Sequence, residues 1–235
     1  MKIFFMDIKF LGTGGAFNVE YGNSSALIQV HGKTILLDCG HSVFPKLVMK
    51  GKADAVDAVL LTHFHDDHIG SLSSLILYHQ LVLNKGKLKI VYPSDSFRTM
   101  LEEFLSFSIG KTEERVTFIP ISDMPGLGAI DTYGQHVKGM QTWAYYFEDG
   151  EKSIVYSGDL GAPKYLFEQI EQLEFAATPM IFHEIAFVKN AGHTWYKDLV
   201  SYQKKYEIYG YHLDPRQNPK DNPIPLVIDQ PNFLL

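Results

Sequence analysis

The sequence has little cysteine, little excess positive charge and no long apolar run. Its 235 residues include one cysteine, Cys39, so an intrachain disulfide cannot form, which is typical of proteins from a reducing compartment. The 21 Lys and Arg residues are outnumbered by 27 Asp and Glu residues, which gives a formal net charge of −6. This balance argues against a large nucleic-acid surface, because such surfaces need clustered cations.

No segment has the length of a membrane-spanning helix, and Asp7 and Lys9 interrupt the apolar residues at the N terminus before they reach the length of a signal-peptide core. We therefore expect a cytoplasmic protein without membrane contact. The length suits one α/β domain over residues 1–235, because no linker-like composition divides the chain. We expect the Pro-rich tail, residues 215–235, to pack on this domain with no element beyond a short strand.

The strongest feature is a cluster of histidines and aspartates that follows an apolar run, residues 58–62, with the composition of a buried strand. The motif contains four side chains of ligand type: His63, His65, Asp67 and His68. His63 and His65 are two residues apart on extended chain and so point to the same side. Imidazoles and carboxylates at this spacing suit divalent cations, and mixed N/O ligation suits two ions better than one. A polar loop is the alternative reading.

This His-x-His-x-Asp-His motif resembles that of the metallo-β-lactamase superfamily of metal-dependent hydrolases. The resemblance implies an α/β fold, the αββα sandwich, in which two mixed β-sheets are flanked by helices. The strand Ile8–Leu11 and the following Gly-Thr-Gly turn are similar to the start of ribonuclease Z-like members. In this superfamily an aspartate in the position of Asp38 lies behind the metal-binding histidines as a hydrogen-bond acceptor.

The resemblance also implies a binuclear metal site built from separate segments. One ion would be held by His63, His65 and His136, the other by Asp67, His68 and His212, with Asp159 between them. Zinc is the expected metal, with manganese or iron as alternatives. A hydroxide that bridges the two ions would attack the substrate, and Asp67 would orient this nucleophile or accept its proton.

Two further segments are similar to the ribonuclease Z-like branch and its phosphodiesterase relatives. There a glutamate and a histidine in the positions of Glu184 and His193 pair, and the histidine acts on the phosphate or the leaving oxygen. The alternative is that Glu184 pairs with a lysine and His193 only begins a helix. The Gly/Pro-rich arm that clamps tRNA in ribonuclease Z has no counterpart in this sequence. We therefore expect a phosphodiesterase for a small molecule or nucleotide.

Two other functions stay open at this point. The same metal site could hydrolyse a carboxylic ester, lactone, thioester or lactam, because this fold hosts all of these reactions. A non-catalytic binding or sensor protein is the third alternative, and the intact ligand set argues against it. The sequence leaves the oligomeric state open, with a homodimer as one alternative. For local structure, we expect helices from Ile69 to about Leu83 and from Trp195 to about Tyr206, and a strand-like context for His136.

Overall fold

Short apolar runs separated by turns form the strands of two β-sheets in the computed structural model, which describes residues 6–235. The first sheet contains, in order across it, β1 (Asp7–Gly12), β2 (Ser25–Val30), β3 (Lys33–Leu37), β4 (Ala58–Leu60), β5 (Leu88–Tyr92) and β6 (Val116–Pro120). Strands β1 to β3 are antiparallel, whereas β3 to β6 are parallel. His31 and Gly32 both have positive φ, which suits the tight turn between β2 and β3.

The second sheet is also mixed. In chain order its strands are β7 (Leu127–Asp131), β8 (Trp143–Glu148), β9 (Ser153–Tyr156), β10 (Met180–Glu184) and β11 (Ile208–Tyr211). Strands β9 to β11 are parallel, and β7 to β9 are antiparallel. The inner faces of the two sheets meet in an aromatic core, in which Phe10 contacts the rings of Tyr156, Phe182 and Tyr211.

Helices cover both outer faces of the sandwich. They are α1 (Val43–Met49), α2 (Asp66–Ile69), α3 (Leu72–Leu81), α4 (Asp95–Ile109), α5 (Pro163–Gln172) and α6 (Tyr196–Leu199). Helices α1, α3 and α4 bury apolar side chains against the first sheet, and α5 and α6 do so against the second. The side chain of Ser94 caps α4 by accepting a hydrogen bond from the backbone N–H of Phe97. The predicted αββα sandwich is confirmed.

The predicted helix after the motif is interrupted. Helix α2 ends at Ile69 and α3 begins at Leu72, because Ser71 is held by the loop after β3: its N–H donates to the carbonyl of Cys39 (3.0 Å) and its hydroxyl to that of Gly40 (2.6 Å). The short helix α2 thus carries Asp67 and His68 as a separate unit.

The predicted helix from Trp195 to Tyr206 is wrong beyond Leu199. Helix α6 stops there, and a 3₁₀ turn follows at Tyr202–Lys204. The ring of Tyr202 stacks on Phe167 of α5 with centroids 3.9 Å apart, and Tyr206 packs on the same ring at 5.3 Å. Packing against α5 therefore overrides the local helical pattern.

Two other local predictions are corrected. His136 lies in the loop between β7 and β8, not in a strand. The tail forms 3₁₀ turns and single parallel bridges, Gly210 to Leu226 and Phe10 to Leu234, in place of a strand, because its prolines lack the N–H groups that a ladder needs. Val227 and Phe233 of the tail are buried against the core between the sheets.

Within residues 6–235, no helix combines the length and the apolar character needed to cross a bilayer. The apolar N-terminal run, which the sequence predicts to be too short for a signal peptide, lies outside the described residues except for Met6.

Candidate metal centre

The candidate metal site lies where the carboxyl ends of parallel strands meet, the usual position of ligand sites in sheets of this kind. Asp38 follows β3, His63 follows β4, Asp159 follows β9 and His212 follows β11. Asp38 and His212 have φ values of 57° and 67°, a conformation uncommon for residues with a side chain and often found at functional sites. The strand ends thus turn sharply and direct these side chains into one place.

The first group of candidate ligands is His63, His65 and His136. The Nε2 atom of His63 lies 3.0 Å from Nδ1 of His65, which lies 3.1 Å from Nε2 of His136. His136 Nδ1 donates to the carbonyl of Gly192 at 2.5 Å, and this assigns the proton of a neutral ring to Nδ1. Its Nε2 atom therefore presents a lone pair to the other two histidines.

His63 is oriented in the same way through Thr62. The Thr62 hydroxyl donates to the buried carboxylate of Asp38 (3.0 Å) and therefore accepts from Nδ1 of His63 (2.9 Å). Burial, followed by the charge of His68, lowers the pKa of the His63 imidazole well below its usual range. The Nε2 lone pairs of His63 and His136 thus converge on Nδ1 of His65, an arrangement that fits a divalent cation.

The second group is Asp67, His68 and His212. His68 Nδ1 donates to Asp38 at 2.8 Å, which leaves its Nε2 atom 3.2 Å from the carboxylate of Asp67. The Nε2 atom of His212 lies 3.7 Å from the same carboxylate. These three side chains are buried, and their ligand atoms are close enough together to hold one metal ion.

Asp159 lies between the two groups. Its Oδ2 atom is 3.3 Å from His212 Nε2, 3.5 Å from His68 Nε2 and 4.0 Å from His136 Nε2. The other carboxylate oxygen of Asp159 and the Nε2 atom of His68 are buried without a hydrogen-bond partner among the described residues. Buried polar atoms normally have a hydrogen-bond partner. Two atoms without one are therefore consistent with a site in which both would coordinate a metal ion.

The electrostatics of the buried carboxylates favour a cation here. Burial would lower the pKa of the His68 imidazole, but the charges of Asp159 and Asp38 outweigh burial and raise it well above its usual range. Burial would raise the pKa of Asp159, yet His212 and His68 hold it well below its usual range. The residues present therefore fit metal ions, and their donor set of imidazoles and carboxylates is one that zinc accepts.

Glu184 and His193 form a pair at the edge of the two groups. His193 Nδ1 lies 3.3 Å from Glu184 Oε2, and Glu184 Oε1 accepts the backbone N–H groups of Thr194 (2.8 Å) and Leu160 (3.3 Å). Burial raises the pKa of Glu184 to about 7. Burial would lower the pKa of His193, but its hydrogen bond to Glu184 and the nearby carboxylates raise it to about 9. As the pH falls, His193 is therefore protonated before Glu184.

His193 is also close to the predicted ligands. Its Nδ1 atom lies 3.9 Å from Asp159 Oδ2, and its ring stacks on that of His212 with centroids 5.4 Å apart. With His136 and Asp159 it forms a further group with metal-binding geometry, which the sequence did not suggest. Unlike the buried Glu184, the His193 side chain is 32% exposed, so it can reach a substrate.

The structure brings together the side chains that the sequence predicts for the site: His63, His65, Asp67, His68, His136, Asp159, Glu184, His193 and His212. Their roles as ligands and catalysts stay predictions. Sequence reasoning missed Thr62 and the Gly192 carbonyl, which orient His63 and His136. Thr62 could have been predicted from its position directly before the motif. The Gly192 carbonyl could not, because a backbone group has no signature in the sequence.

The remaining histidines lie apart from the metal-ligand groups. His41 is exposed and pairs with Asp66 at 2.9 Å, and His31 is exposed in the hairpin turn, where it contacts the carbonyl of Glu148. His79 is buried on α3, where its role is structural. His183 is buried on β10, and its Nδ1 atom donates to the carbonyl of Glu184 at 2.6 Å.

The chain is similar to known proteins over most of its length. A family model described as Anti-Pycsar protein Apyc1 matches residues 6–224. The Anti-Pycsar protein Apyc1 of Bacillus phage 010DV004 is 30% identical over 84% of this chain and 83% of the phage protein.

Solved structures share the fold. The metallo-β-lactamase fold protein YhfI from Bacillus subtilis matches with a TM-score of 0.68 and 20% identity, over 88% of this chain and 86% of YhfI. The short form of human tRNase Z matches with a TM-score of 0.63 and 20% identity, over 91% and 95% of the two chains. The predicted resemblance to the metallo-β-lactamase superfamily is confirmed. The probable metallo-hydrolase YhfI of Bacillus subtilis is also 25% identical in sequence over 66% of this chain and 64% of YhfI. The chain belongs to the family of the Anti-Pycsar protein Apyc1 and is a hydrolase with the metallo-β-lactamase fold.

Proposed function

We propose that the protein is a binuclear metal-dependent phosphodiesterase for a small phosphodiester or nucleotide, with zinc as the metal and manganese or iron as alternatives. The observation that carries the proposal is the Glu184–His193 pair beside Asp159. A phosphodiester is an anion whose cleavage releases an alkoxide. It therefore needs a cationic or proton-donating group next to the metal ions.

We propose that the ligands are divided between two metal ions. One ion would be held by His63, His65 and His136, the other by Asp67, His68 and His212, with Asp159 shared. Bound there, two divalent ions would activate a water molecule at neutral pH and polarise the phosphoryl group. Asp67, which is buried beside His68 and His212, would orient the attacking water or accept its proton.

His193 would contact the phosphate or the leaving oxygen from the side of the site that is open. Its Nδ1 atom faces Glu184, so its Nε2 atom is free to donate toward substrate. Glu184 cannot turn away, because two backbone N–H groups hold its other oxygen. The Glu184 carboxylate thus fixes the orientation of the His193 imidazole and favours its protonated form. A proton is then available for the leaving oxygen.

The surroundings of the site favour a small substrate. Two open cavities of about 610 and 330 Å³ adjoin His212, and the smaller one also reaches His193. Volumes of this size suit a small molecule. The net charge of −6 gives little electrostatic attraction for tRNA. Human tRNase Z shares the fold, but a shared fold does not decide the substrate. A cyclic nucleotide is the first substrate to test.

A substrate panel on zinc-loaded protein tests the proposal. We expect turnover of bis-p-nitrophenyl phosphate and of a 3′,5′-cyclic nucleotide, and turnover at least about a hundredfold slower for a lactone and a β-lactam, because His193 and Glu184 serve phosphate chemistry. A preference for the lactone or the β-lactam would refute the phosphodiesterase assignment, and efficient 3′ trimming of precursor tRNA would refute the small-substrate assignment.

A further inference from the structure

The loop between β1 and β2 carries an apolar side chain that the fold does not use. The Phe17 side chain is 98% exposed, the largest value for any large apolar residue in the described part of the chain. Phe17 lines both cavities beside the metal centre, and these cavities also share His212. An exposed phenyl ring gains nothing from folding. Its position at the wall common to both cavities therefore suggests a contact with something that enters them.

The base of this loop is fixed to the metal centre. The carbonyl of Thr13 accepts the N–H groups of His212 (2.8 Å) and Leu213 (3.1 Å). A Cβ atom at Gly15 would lie 3.4 Å from Nε2 of His212, so the loop backbone packs directly on this candidate ligand. At the other end of the loop, Ser24 N–H donates to the carbonyl of Gly14 at 3.0 Å. Phe17 therefore stands on an anchored loop at the rim of the site.

The larger cavity favours an uncharged planar group over a second phosphate. Arg216 in its wall already pairs with two carboxylates, because it donates to Asp214 at 2.7 Å and to Glu20 at 3.0 Å, and the three groups together carry a net negative charge. Among the described residues, this wall therefore offers no unpaired cation that could bind a second phosphate. The remaining polar groups include the amides of Asn18 and Gln217, which can bond to the edge of a heterocycle.

We propose that Phe17 is the platform on which the base of a nucleotide substrate stacks. The phosphodiester would lie beside His193 and His212 in the smaller cavity, and the base would extend across Phe17 into the larger one. Stacking on an aromatic ring accepts every base, because each base has a π-face. Phe17 is then a specificity-determining residue that selects diesters bearing a flat heterocycle. This inference rests on the proposed phosphodiesterase function.

The test compares two substrates that differ only in the base: a 3′,5′-cyclic nucleotide and the 3′,5′-cyclic phosphate of 1-O-methylribose. In Phe17→Ala, KM for the nucleotide should rise about tenfold, within the usual worth of one stacked base, while KM for the base-free diester stays unchanged. Phe17→Trp should keep the wild-type KM for both substrates. Phe107→Ala is the matched control, because Phe107 is 86% exposed on α4 and lines neither cavity.

Equal KM values in wild type and Phe17→Ala, or an equal rise for both substrates, would overturn the inference. A dimer in wild type that becomes a monomer in Phe17→Ala by sedimentation velocity would also overturn it, because Phe17 would then contact a second copy of the chain.

If the wild type hydrolyses neither diester, the proposed phosphodiesterase function is wrong, but the role of Phe17 is still testable. Calorimetric binding of a cyclic nucleotide phosphorothioate then tests Phe17 without turnover. Weaker binding to Phe17→Ala than to wild type supports the platform, and equal or absent binding overturns it.

Discussion

At the scale of the residue, the imidazoles of His63, His68 and His136 are each oriented by a hydrogen-bond partner of one ring nitrogen, which leaves the other nitrogen directed into the site. Asp38 holds His68 directly and His63 through the Thr62 hydroxyl, so one buried carboxylate orients a ligand of each proposed metal ion. The carbonyl of Gly192 does the same for His136. Such partners fix the tautomer and the direction of a ligand before a metal binds.

The Glu184–His193 pair gives the prediction at this scale. We expect His193→Ala to lower kcat by about 10²–10⁴-fold, the usual worth of a positioned acid, with unchanged metal content. Glu184→Ala should lose a similar amount, and the double variant little more than either one, because the two residues act as a unit. Diesters with poor leaving groups should lose more than p-nitrophenyl diesters, whose leaving group departs without a proton. Steady-state kinetics and elemental analysis measure these effects.

The matched control is His31→Ala, which removes an exposed histidine of the β2–β3 hairpin. Full activity of His193→Ala on an alkyl diester would make the pair structural and would favour an ester or lactone substrate. A loss of metal in this variant would instead assign His193 to the ligand group that it forms with His136 and Asp159.

At the scale of the element, the site depends on how strand ends and short helices meet. The sequence predicts the strands at residues 8–11 and 58–62, which correspond to β1 and β4, because apolar runs and turn residues mark them. It does not predict the interruption at Ser71 or the end of α6 at Leu199, because contacts with distant segments cause both. The position of His136 is not predictable from local sequence either, because this residue lies in a loop and its ring is held by the carbonyl of the distant residue Gly192.

The contact between α2 and the loop after β3 gives a prediction about stability. A Cβ atom at Gly40 would lie 1.9 Å from the carbonyl oxygen of Asp67, so Gly40→Ala must displace the segment that carries Asp67 and His68. We expect the free energy of unfolding to fall by about 1–3 kcal/mol, the usual cost of overpacking, together with weaker metal binding. Denaturant unfolding and a zinc competition assay measure the two effects.

Gly192→Ala is the control for this variant, because the nearest atom to its added methyl group would be His136 Nδ1 at 3.6 Å, an ordinary contact. Its free energy of unfolding should match that of the wild type. If Gly40→Ala were as stable as Gly192→Ala, close packing of α2 on this loop would not be what positions the motif.

At the scale of the whole molecule, the site joins the two sheets of the sandwich. His63 and Asp38 come from the first sheet, whereas Asp159 and His212 come from the second. Metal bound between the sheets should therefore stabilise the folded chain, because the unfolded chain has no assembled site. The superfamily motif made the fold predictable from the sequence. The distances between ligands depend on sheet packing, which local patterns do not report.

The metal content of the purified, zinc-reconstituted protein tests the central claim most directly. Elemental analysis should give two ions per chain, because two groups of ligands converge around Asp159. Asp159→Ala should lose both ions or keep one weakly, and removing metal from the wild type with a chelator should lower its Tm. A well-folded wild-type protein that stays free of metal after reconstitution with zinc or manganese would contradict the account.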